Sequence, residues 1–125
     1  MVWYGLAAVS VELPVLSPRE RKAGGCCAPL AMPEVPPAEA RELAAVCKAL
    51  GDPTRVLIVD ALRAAAPEAV CQCELLPLFD MSQPALAKHL KVLVGAGVVG
   101  TERRGVWAYY FLLPDALKEL QAWLS

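Results

Sequence analysis

Prolines and glycines divide this 125-residue chain into two parts that cannot fold in the same way. Residues 1–36 contain many helix and strand breakers, and residue 37 is again a proline. These breakers include Pro14, Pro18, Gly24, Gly25, Pro29, Pro33 and Pro36. No regular period survives so many interruptions, so we predict a flexible N-terminal arm over 1–36 and one domain over 37–125. A core of that size is marginal alone, and pairing with a second copy would stabilise it.

Two amphipathic helices are predicted at the start of the domain. The first begins near Pro37 and ends at Gly51, and the second begins at Pro53 with Asp52 as its capping residue. The apolar stripes of the two helices are Leu43, Val46, Cys47 and Leu50, and Ile58, Ala61, Leu62 and Ala65. Spacings of three and four residues are typical of a helix with one buried face, so we expect Cys47 to pack in the core.

A short helix and a longer helix are predicted next. Val70–Cys73 reads as an extended link, followed by a short helix over Glu74–Phe79. Ser82-Gln83-Pro84 then opens a longer helix, which ends at Gly95 and Gly97. Its inward positions are Leu86, Leu90, Leu93 and Val94.

A β-hairpin and a last helix complete the predicted domain. The runs Val98–Arg103 and Val106–Leu112 are β-branched and aromatic, with Arg104-Gly105 as the turn between them, and the last helix begins at Pro114. Two helices joined by a tight turn and followed by a hairpin are typical of a winged helix-turn-helix. We therefore predict a mainly α fold with a β-hairpin wing (α+β), assembled as a dimer.

The charge is distributed unevenly along the chain. The net charge is −1, but the stretch from Met81 to Arg104 carries four basic residues and one acidic residue, a local charge of +3 on a remainder of −4. Screening over about 8–10 Å makes the local field the relevant one for a partner. A basic surface on an acidic body is compatible with binding to DNA.

Five cysteines bear on the compartment and the chemistry: Cys26, Cys27, Cys47, Cys71 and Cys73. The chain shows no signal peptide and no apolar run of the ~18 residues that a membrane span needs, so we expect a cytoplasmic protein without a membrane partner. Clustered cysteines in a reducing compartment are typical of metal-binding or reactive sites, although they also serve as small buried apolar residues. An enzyme is not expected, because there is no Cys-x-x-Cys, no phosphate loop and a single histidine, and no organic cofactor is implied.

Four segments of the domain are informative together: ALGDPTRVLIVDAL (Ala49–Leu62), VCQCEL (Val70–Leu75), SQPALAKHLKVLVGAGVV (Ser82–Val99) and RRGVWAYYFL (Arg103–Leu112). These segments resemble the ArsR/SmtB family of metal-responsive repressors. They lie within Lys48–Leu112, a span of about half of the chain, in the order and spacing of the family. The resemblance implies a homodimer held by the first and last helices, with one recognition helix of each protomer in a major groove of a palindromic operator. Members of the family repress resistance operons and dissociate from DNA when a toxic ion binds.

The resemblance places the recognition helix on Ser82–Val94. Its outward positions are Ser82, Gln83, Ala85, Ala87, Lys88 and Lys91. Glutamine can bond adenine, serine a base edge or phosphate, and lysine phosphate, while Arg103 and Arg104 at the hairpin tip can reach the flanking DNA. His89 is expected to be structural or to lie near the DNA backbone.

This helix also departs from the family. Relatives often carry hydroxyl residues where Ala85 and Ala87 stand and histidine where Lys88 stands, which leaves the operator sequence open. Two alternatives remain at this point: the basic residues form only a solvated face, or the chain is a dimerisation module that has lost DNA binding.

The family's Cys-x-Cys-[Asp/Glu]-Leu metal motif falls on Cys71-Gln72-Cys73-Glu74-Leu75. In an extended link, side chains at i and i+2 point the same way, so the two sulfurs are expected to converge. A following helix N-terminus is expected to lower the pKa of both thiols. Cys26-Cys27 follows Gly24-Gly25 on the arm, and arsenic-responsive relatives resemble the chain in carrying such a pair.

The resemblance implies two alternative ligand sets. Cys26 and Cys27 with either Cys71 or Cys73 would hold As(III) or Sb(III) through three sulfurs, and adjacent cysteines favour this set. All four would form a tetrahedral site for Cd(II), Pb(II) or Zn(II). Soft thiolates select soft ions but do not separate arsenic from cadmium, so both ligand sets stay open. The last helix lacks the aspartate and histidine ligands of zinc-sensing relatives. A thiol redox switch on the same DNA-binding fold is a further alternative.

Overall fold

The computed structural model describes residues 30–125; Cys26 and Cys27 of the predicted arm lie outside the described residues. In chain order the elements are α1 (Pro37–Ala49), α2 (Pro53–Ala65), β1 (Val70–Cys71), α3 (Gln72–Leu75), a 3₁₀ turn (Leu76–Leu78), α4 (Gln83–Gly95), β2 (Val99–Arg104), β3 (Trp107–Leu112) and α5 (Pro114–Leu124). This order confirms the predicted mainly α winged helix-turn-helix with a hairpin wing. Among residues 30–125, no helix has the length and apolar character that a membrane crossing requires.

Side-chain caps fix where the two central helices begin. Asp52 Oδ2 accepts hydrogen bonds from the backbone N–H groups of Thr54 and Arg55 at 2.8 and 3.2 Å, which confirms Asp52 as the cap of α2. The hydroxyl oxygen of Ser82 accepts from the N–H of Ala85 at 3.3 Å and caps α4 in the same way. Both caps satisfy N–H groups that have no partner within a helix.

The core lies between α2, α4 and the inner face of a small sheet, with α1 and α5 packed against each other. Its fully buried side chains are Ile58, Leu62, Leu75, Leu86, Leu90, Leu93, Val98 and Val99. The three leucines of α4 confirm the predicted inward face, and Val94 is half-buried beside them.

The prediction for Cys47 was wrong. α1 buries Leu43, Val46 and Ala49, a spacing of three residues, and this face leaves Cys47 exposed. The choice between i+3 and i+4 neighbours was decided by the packing of α1 against the rest of the domain.

The sheet is antiparallel with the strand order β1-β3-β2. β1 pairs with β3 through Val70↔Tyr110 and Cys71↔Tyr109, so the predicted link is a strand only as far as Cys71. Since Arg104 pairs with Trp107, the hairpin turn consists of Gly105-Val106, one residue later than predicted. Gly105 has φ +64°, and a positive φ at the first central residue is typical of the type II′ turn that suits two-residue hairpins.

The end of α4 leads directly into the wing. The helix includes Gly95, and the residue that stops it is Gly97, with φ +77°. The N–H of Gly97 donates to Val94 and the N–H of Val98 donates to Leu93, each at 3.1 Å, which is a Schellman ending. Because Val98 and Val99 are buried, the start of β2 is fixed relative to α4.

Candidate nucleic-acid interface and thiol site

The exposed surface of α4 contains four of the polar residues that the sequence indicates. Ser82, Gln83, Lys88 and Lys91 are exposed, whereas Ala85, Ala87 and His89 are half-buried and only partly outward. The oxygen of Ser82 is engaged in the helix cap, but its O–H can still donate a hydrogen bond. The helix therefore offers an amide, a hydroxyl donor and two ammonium groups to a partner.

His89 faces α2. Its Nδ1 lies 3.2 Å from an Nη atom of Arg55 and 4.0 Å from Oδ2 of Asp52. Since a guanidinium can only donate, Nδ1 is the acceptor and the ring proton lies on Nε2 when this bond is made. Nε of Arg55 also donates to the carbonyl of Ala49 at the end of α1. His89 thus links the recognition helix to the corner between α1 and α2. This contact is structural, which was one of the two roles expected for His89.

Both arginines of the wing are exposed, but Arg104 has partners on the sheet. Its guanidinium lies 3.5 Å from a carboxylate oxygen of Glu102, and its carbon lies 5.6 Å from the centre of the Tyr109 ring. The side chain is still 67% exposed, so these contacts hold the charge at the surface rather than bury it. Ion pairs at such exposure contribute little to stability, and the guanidinium can exchange one partner for another.

The two thiols of the Cys-x-Cys motif have different environments. Helix α3 begins at Gln72 rather than at Glu74, so Cys73 lies in its first turn and the expected extended geometry was wrong. Cys71 is buried and caps the helix, since its sulfur accepts from the N–H of Cys73 at 3.4 Å. The N–H of Cys71 donates in turn to a carboxylate oxygen of Glu74 at 2.9 Å, which completes a capping box.

The expectation of a lowered thiol pKa was also wrong for Cys73. The hydrogen bond with Cys71 raises the pKa of the Cys73 thiol, and desolvation and the nearby charges of Cys71 and Glu74 raise it further. Helix α3 has only four residues, and the N–H of Cys73 is already bonded to the sulfur of Cys71. Cys73 is exposed and thus accessible to a ligand, in contrast to the buried sulfur of Cys71.

Within residues 30–125, no three metal-ligating side chains come together. The Cys71 and Cys73 sulfurs could thus supply at most two ligands to an ion, and a third would have to come from outside these residues. A soft ion with three or four sulfur ligands is chemically compatible with this pair. A hard ion is not, because such ions prefer several oxygen ligands.

Comparison with known proteins identifies the family. The family described as "Bacterial regulatory protein, arsR family" matches residues 52–101, from the cap of α2 into β2. The arsenical resistance operon repressor of Staphylococcus aureus is 38% identical over 84 residues, covering 64% of this chain and 78% of that protein. The chain belongs to the ArsR family.

Two further proteins extend the comparison. A transcriptional regulator of the HTH type from Methanocaldococcus jannaschii is 35% identical over 77 residues, covering 62% of this chain and 84% of the relative. An ArsR-like transcriptional regulator from Rhodococcus sp. RHA1 has 30% identity and a TM-score of 0.60, covering 70% of this chain and 79% of that one. The ArsR family consists of DNA-binding transcriptional regulators and not of enzymes, so this chain is a transcriptional regulator with a DNA-reading helix-turn-helix.

Sequence reasoning missed three residues of these sites. Glu74 completes the cap of α3, and the spacing Cys-x-x-Glu was a usable signal, because it is a capping box with sulfur in place of the usual hydroxyl. Arg55 contacts His89 across 34 residues of sequence, for which no local signal exists. Tyr109 contacts Arg104, and the alternation of β3 indicated only that it lies on one face of the hairpin.

Proposed function

We propose that this ArsR-family repressor binds a palindromic operator as a homodimer and releases it when As(III) or Sb(III) binds cysteine sulfur. The observation that carries the proposal is the position of Cys71, whose sulfur caps the short helix just before the recognition helix. The S. aureus relative is named an arsenical resistance operon repressor, which supports arsenite as the inducer class.

Operator binding would use the exposed residues of α4 and the wing. Gln83 can form a bidentate contact with adenine, and the hydroxyl of Ser82 can donate to a base or phosphate. Lys88 and Lys91 suit phosphates, which fix the register without reading the sequence. Arg103 and Arg104 would contact the backbone or minor groove beside the site. The half-buried Ala85 and Ala87 contribute no polar contact, so the direct readout rests on few residues.

A second copy would complete the DNA-binding unit. Two recognition helices reach successive major grooves when their half-sites lie about 34–36 Å apart, which requires a two-fold pair. The end of α5 supports such a pair, since Trp123 and Leu124 are 52% and 68% exposed and α5 packs on α1 within the protomer. Covering these side chains removes apolar surface from water and would stabilise a small core.

The proposed inducer site consists of Cys26 and Cys27 with either Cys71 or Cys73. Arsenous acid reacts with neutral thiols by exchange: the arsenic–oxygen bond breaks, an arsenic–sulfur bond forms, and the S–H proton leaves with the hydroxyl as water. Repeating this step at three sulfurs gives a pyramidal complex without a change of oxidation state. Exposed Cys73 is accessible for the first step, and the arm cysteines would close the site.

The structural effect of ion binding would be transmitted to α4 through the start of α3. If the ion binds Cys71, arsenic replaces the thiol hydrogen with a bulkier substituent, and the sulfur would then be less well placed to accept the bond from the N–H of Cys73, which would weaken the cap of α3. The side-chain amide of Gln72 donates to the carbonyl of Gln83 at 3.5 Å, which links the first residue of α3 to the first residue of α4. An inducer shifts DNA binding only by its differential affinity for the two states, and such couplings are typically about 1–3 kcal/mol.

The test is release from DNA, followed by the fluorescence anisotropy of a labelled fragment of the protein's own upstream promoter. The reduced wild-type protein, Cys71→Ser, Cys73→Ser and the double variant are titrated with arsenite, cadmium and zinc. Cys47→Ser is the matched control, because it removes an exposed thiol away from the candidate site. We expect arsenite to release the wild type and Cys47→Ser, with cadmium weaker and zinc without effect, and to leave the double variant bound.

The other outcomes separate the alternatives. Release of the double variant by arsenite contradicts the proposed site. Release by cadmium before arsenite indicates the four-sulfur site for Cd(II) or Pb(II). Release by diamide, with no response to any ion, indicates a thiol redox switch. Absence of operator binding at low salt by the unliganded protein contradicts the DNA-binding proposal itself.

A further inference from the structure

One cross-strand row connects the candidate thiol site to the wing. Cys71 of β1 is in register with Tyr109 of β3, and Tyr109 is in register with Glu102 of β2. Directly opposed residues of antiparallel strands place their side chains on the same face, with Cβ atoms about 4.5–5.5 Å apart. Cys71, Tyr109 and Glu102 therefore lie side by side on one face of the sheet.

Arg104 is docked on the far part of this row. Its guanidinium lies 5.6 Å from the Tyr109 ring centre and 3.5 Å from Glu102, in contact with the two row members on the wing side. A cation above an aromatic face is attracted to the ring, and the carboxylate neutralises the same charge. The Tyr109 ring and the Glu102 carboxylate therefore compete with a DNA phosphate for the positive charge of Arg104.

We propose that Tyr109 is a positioning residue that couples ion capture at Cys71 to the DNA contact of Arg104. Cys71 is buried at the β1 end of the row, so an ion bound to its sulfur adds a bulky group beside the Tyr109 ring. The ring is then held beneath Arg104, which keeps the guanidinium on the sheet and away from DNA. This inference rests on the proposed function, since it takes Cys71 as a ligand and Arg104 as a DNA contact.

The test compares Tyr109→Leu with Tyr109→Phe in the full chain. The measured quantity is the ratio of the operator Kd with arsenite to the Kd without it, from anisotropy. Tyr109→Phe keeps the ring and is expected to keep the wild-type ratio. Tyr109→Leu removes the cation–π contact and is expected to lower the ratio about two- to fivefold, with arsenite affinity in the absence of DNA unchanged. A wild-type ratio in Tyr109→Leu overturns the inference.

Three further variants make the result specific. Phe111→Leu is the control, since this ring is in register with Gly100 and lies outside the row, and its ratio should equal that of the wild type. Arg104→Ala should lower the ratio, and combining it with Tyr109→Leu should lower it no further. If circular dichroism shows that Tyr109→Leu does not fold, Glu102→Gln replaces it, because this variant weakens the same docking, and a wild-type ratio there overturns the inference.

Failure of this inference can be told apart from failure of the proposed function. If arsenite does not release the wild-type protein, the proposed function fails and the row has nothing to couple. If arsenite releases the wild type and Tyr109→Leu equally, only the role of Tyr109 is lost. Release of Cys71→Ser with the wild-type ratio also overturns the inference, because the ion then does not need the sulfur beside Tyr109.

Discussion

The two helices of the helix-turn-helix are held in place by different means. The recognition helix α4 has 13 residues, a serine cap, a Schellman ending and three leucines with no exposed surface. Helix α3 has four residues, buries only Leu75, and is capped by a thiol and a carboxylate. Burial of apolar surface fixes α4, whereas hydrogen bonds to Cys71 and Glu74 fix the start of α3.

This difference separates α4, the recognition helix, from α3, whose cap a ligand would alter under the proposed function. An ion cannot compete for the contacts of a buried leucine, because these contacts offer it no donor atom. A soft ion, by contrast, would bind the sulfur that caps α3, as proposed above. The residue proposed to bind the ion is thus part of the hydrogen-bonded cap of α3, the helix that precedes the recognition helix in the chain.

The largest effect is expected for the apolar support of α4. Leu90→Ala removes a fully buried side chain and is expected to lower the free energy of unfolding by about 2–5 kcal/mol, measured by urea denaturation. Val92→Ala on the same helix is the control, since Val92 is 42% exposed, and its effect is expected to be within about 0.5 kcal/mol. Equal losses in the two variants would contradict the description of α4 as a helix fixed by burial.

An intermediate effect is expected for the cap of α3. Cys71→Ala removes the cap acceptor and is expected to cost about 0.5–2 kcal/mol, whereas Cys71→Ser places a better capping group there and should cost less. Thermal unfolding of both variants measures the difference, with Cys73→Ser as an exposed control. If Cys71→Ser and Cys71→Ala are equally destabilised, the sulfur is a packing group and not a cap.

The sequence predicted correctly those features that depend on residue type and spacing within one segment. The caps Asp52 and Ser82 and the inward leucines of α4 follow from residue type and helical spacing, and the structure confirms them. The hairpin was predicted to within one residue of its turn, because Gly105 is the residue that accepts a positive φ.

Sequence reasoning failed where packing between distant segments decides the outcome. Cys47 fitted an apolar stripe, but the neighbours of α1 select the face that contains Ala49 instead. Cys73 was expected in an extended segment, because sulfur is not among the usual capping groups and the Cys-x-x-Glu spacing was not interpreted as a capping box. The contact of Arg55 with His89 joins two helices and has no signature in either segment.

The smallest effect is expected at Asp52, the cap of α2. Its carboxylate lies 4.0 Å from Nδ1 of His89 on α4, and Arg55 of α2 contacts the same ring nitrogen. Desolvation acts to raise the pKa of the Asp52 carboxyl, but hydrogen bonds from the N–H groups of Arg55 and Thr54, the charge of His89 in its protonated form and the charge of Arg55 outweigh it, so the pKa is lowered. A carboxyl whose pKa is lower in the folded state stabilises the protein above its unfolded pKa of about 3.9, and this stability is lost as the pH falls through the folded value.

Asp52→Asn keeps a capping oxygen but removes this charge, so the pH dependence isolates the electrostatic part of the support. We expect the wild type to have the higher Tm at pH 7, and the gap to the variant to close as the pH falls below about 4. Asp60→Asn is the control, since Asp60 forms an exposed ion pair with Arg63, 2.9 Å away, and such pairs contribute little. A gap for Asp52→Asn that stays constant down to pH 3 would mean that the carboxylate acts as a neutral cap. The buried leucines would then be the main support of α4, and its contrast with α3 would be sharper.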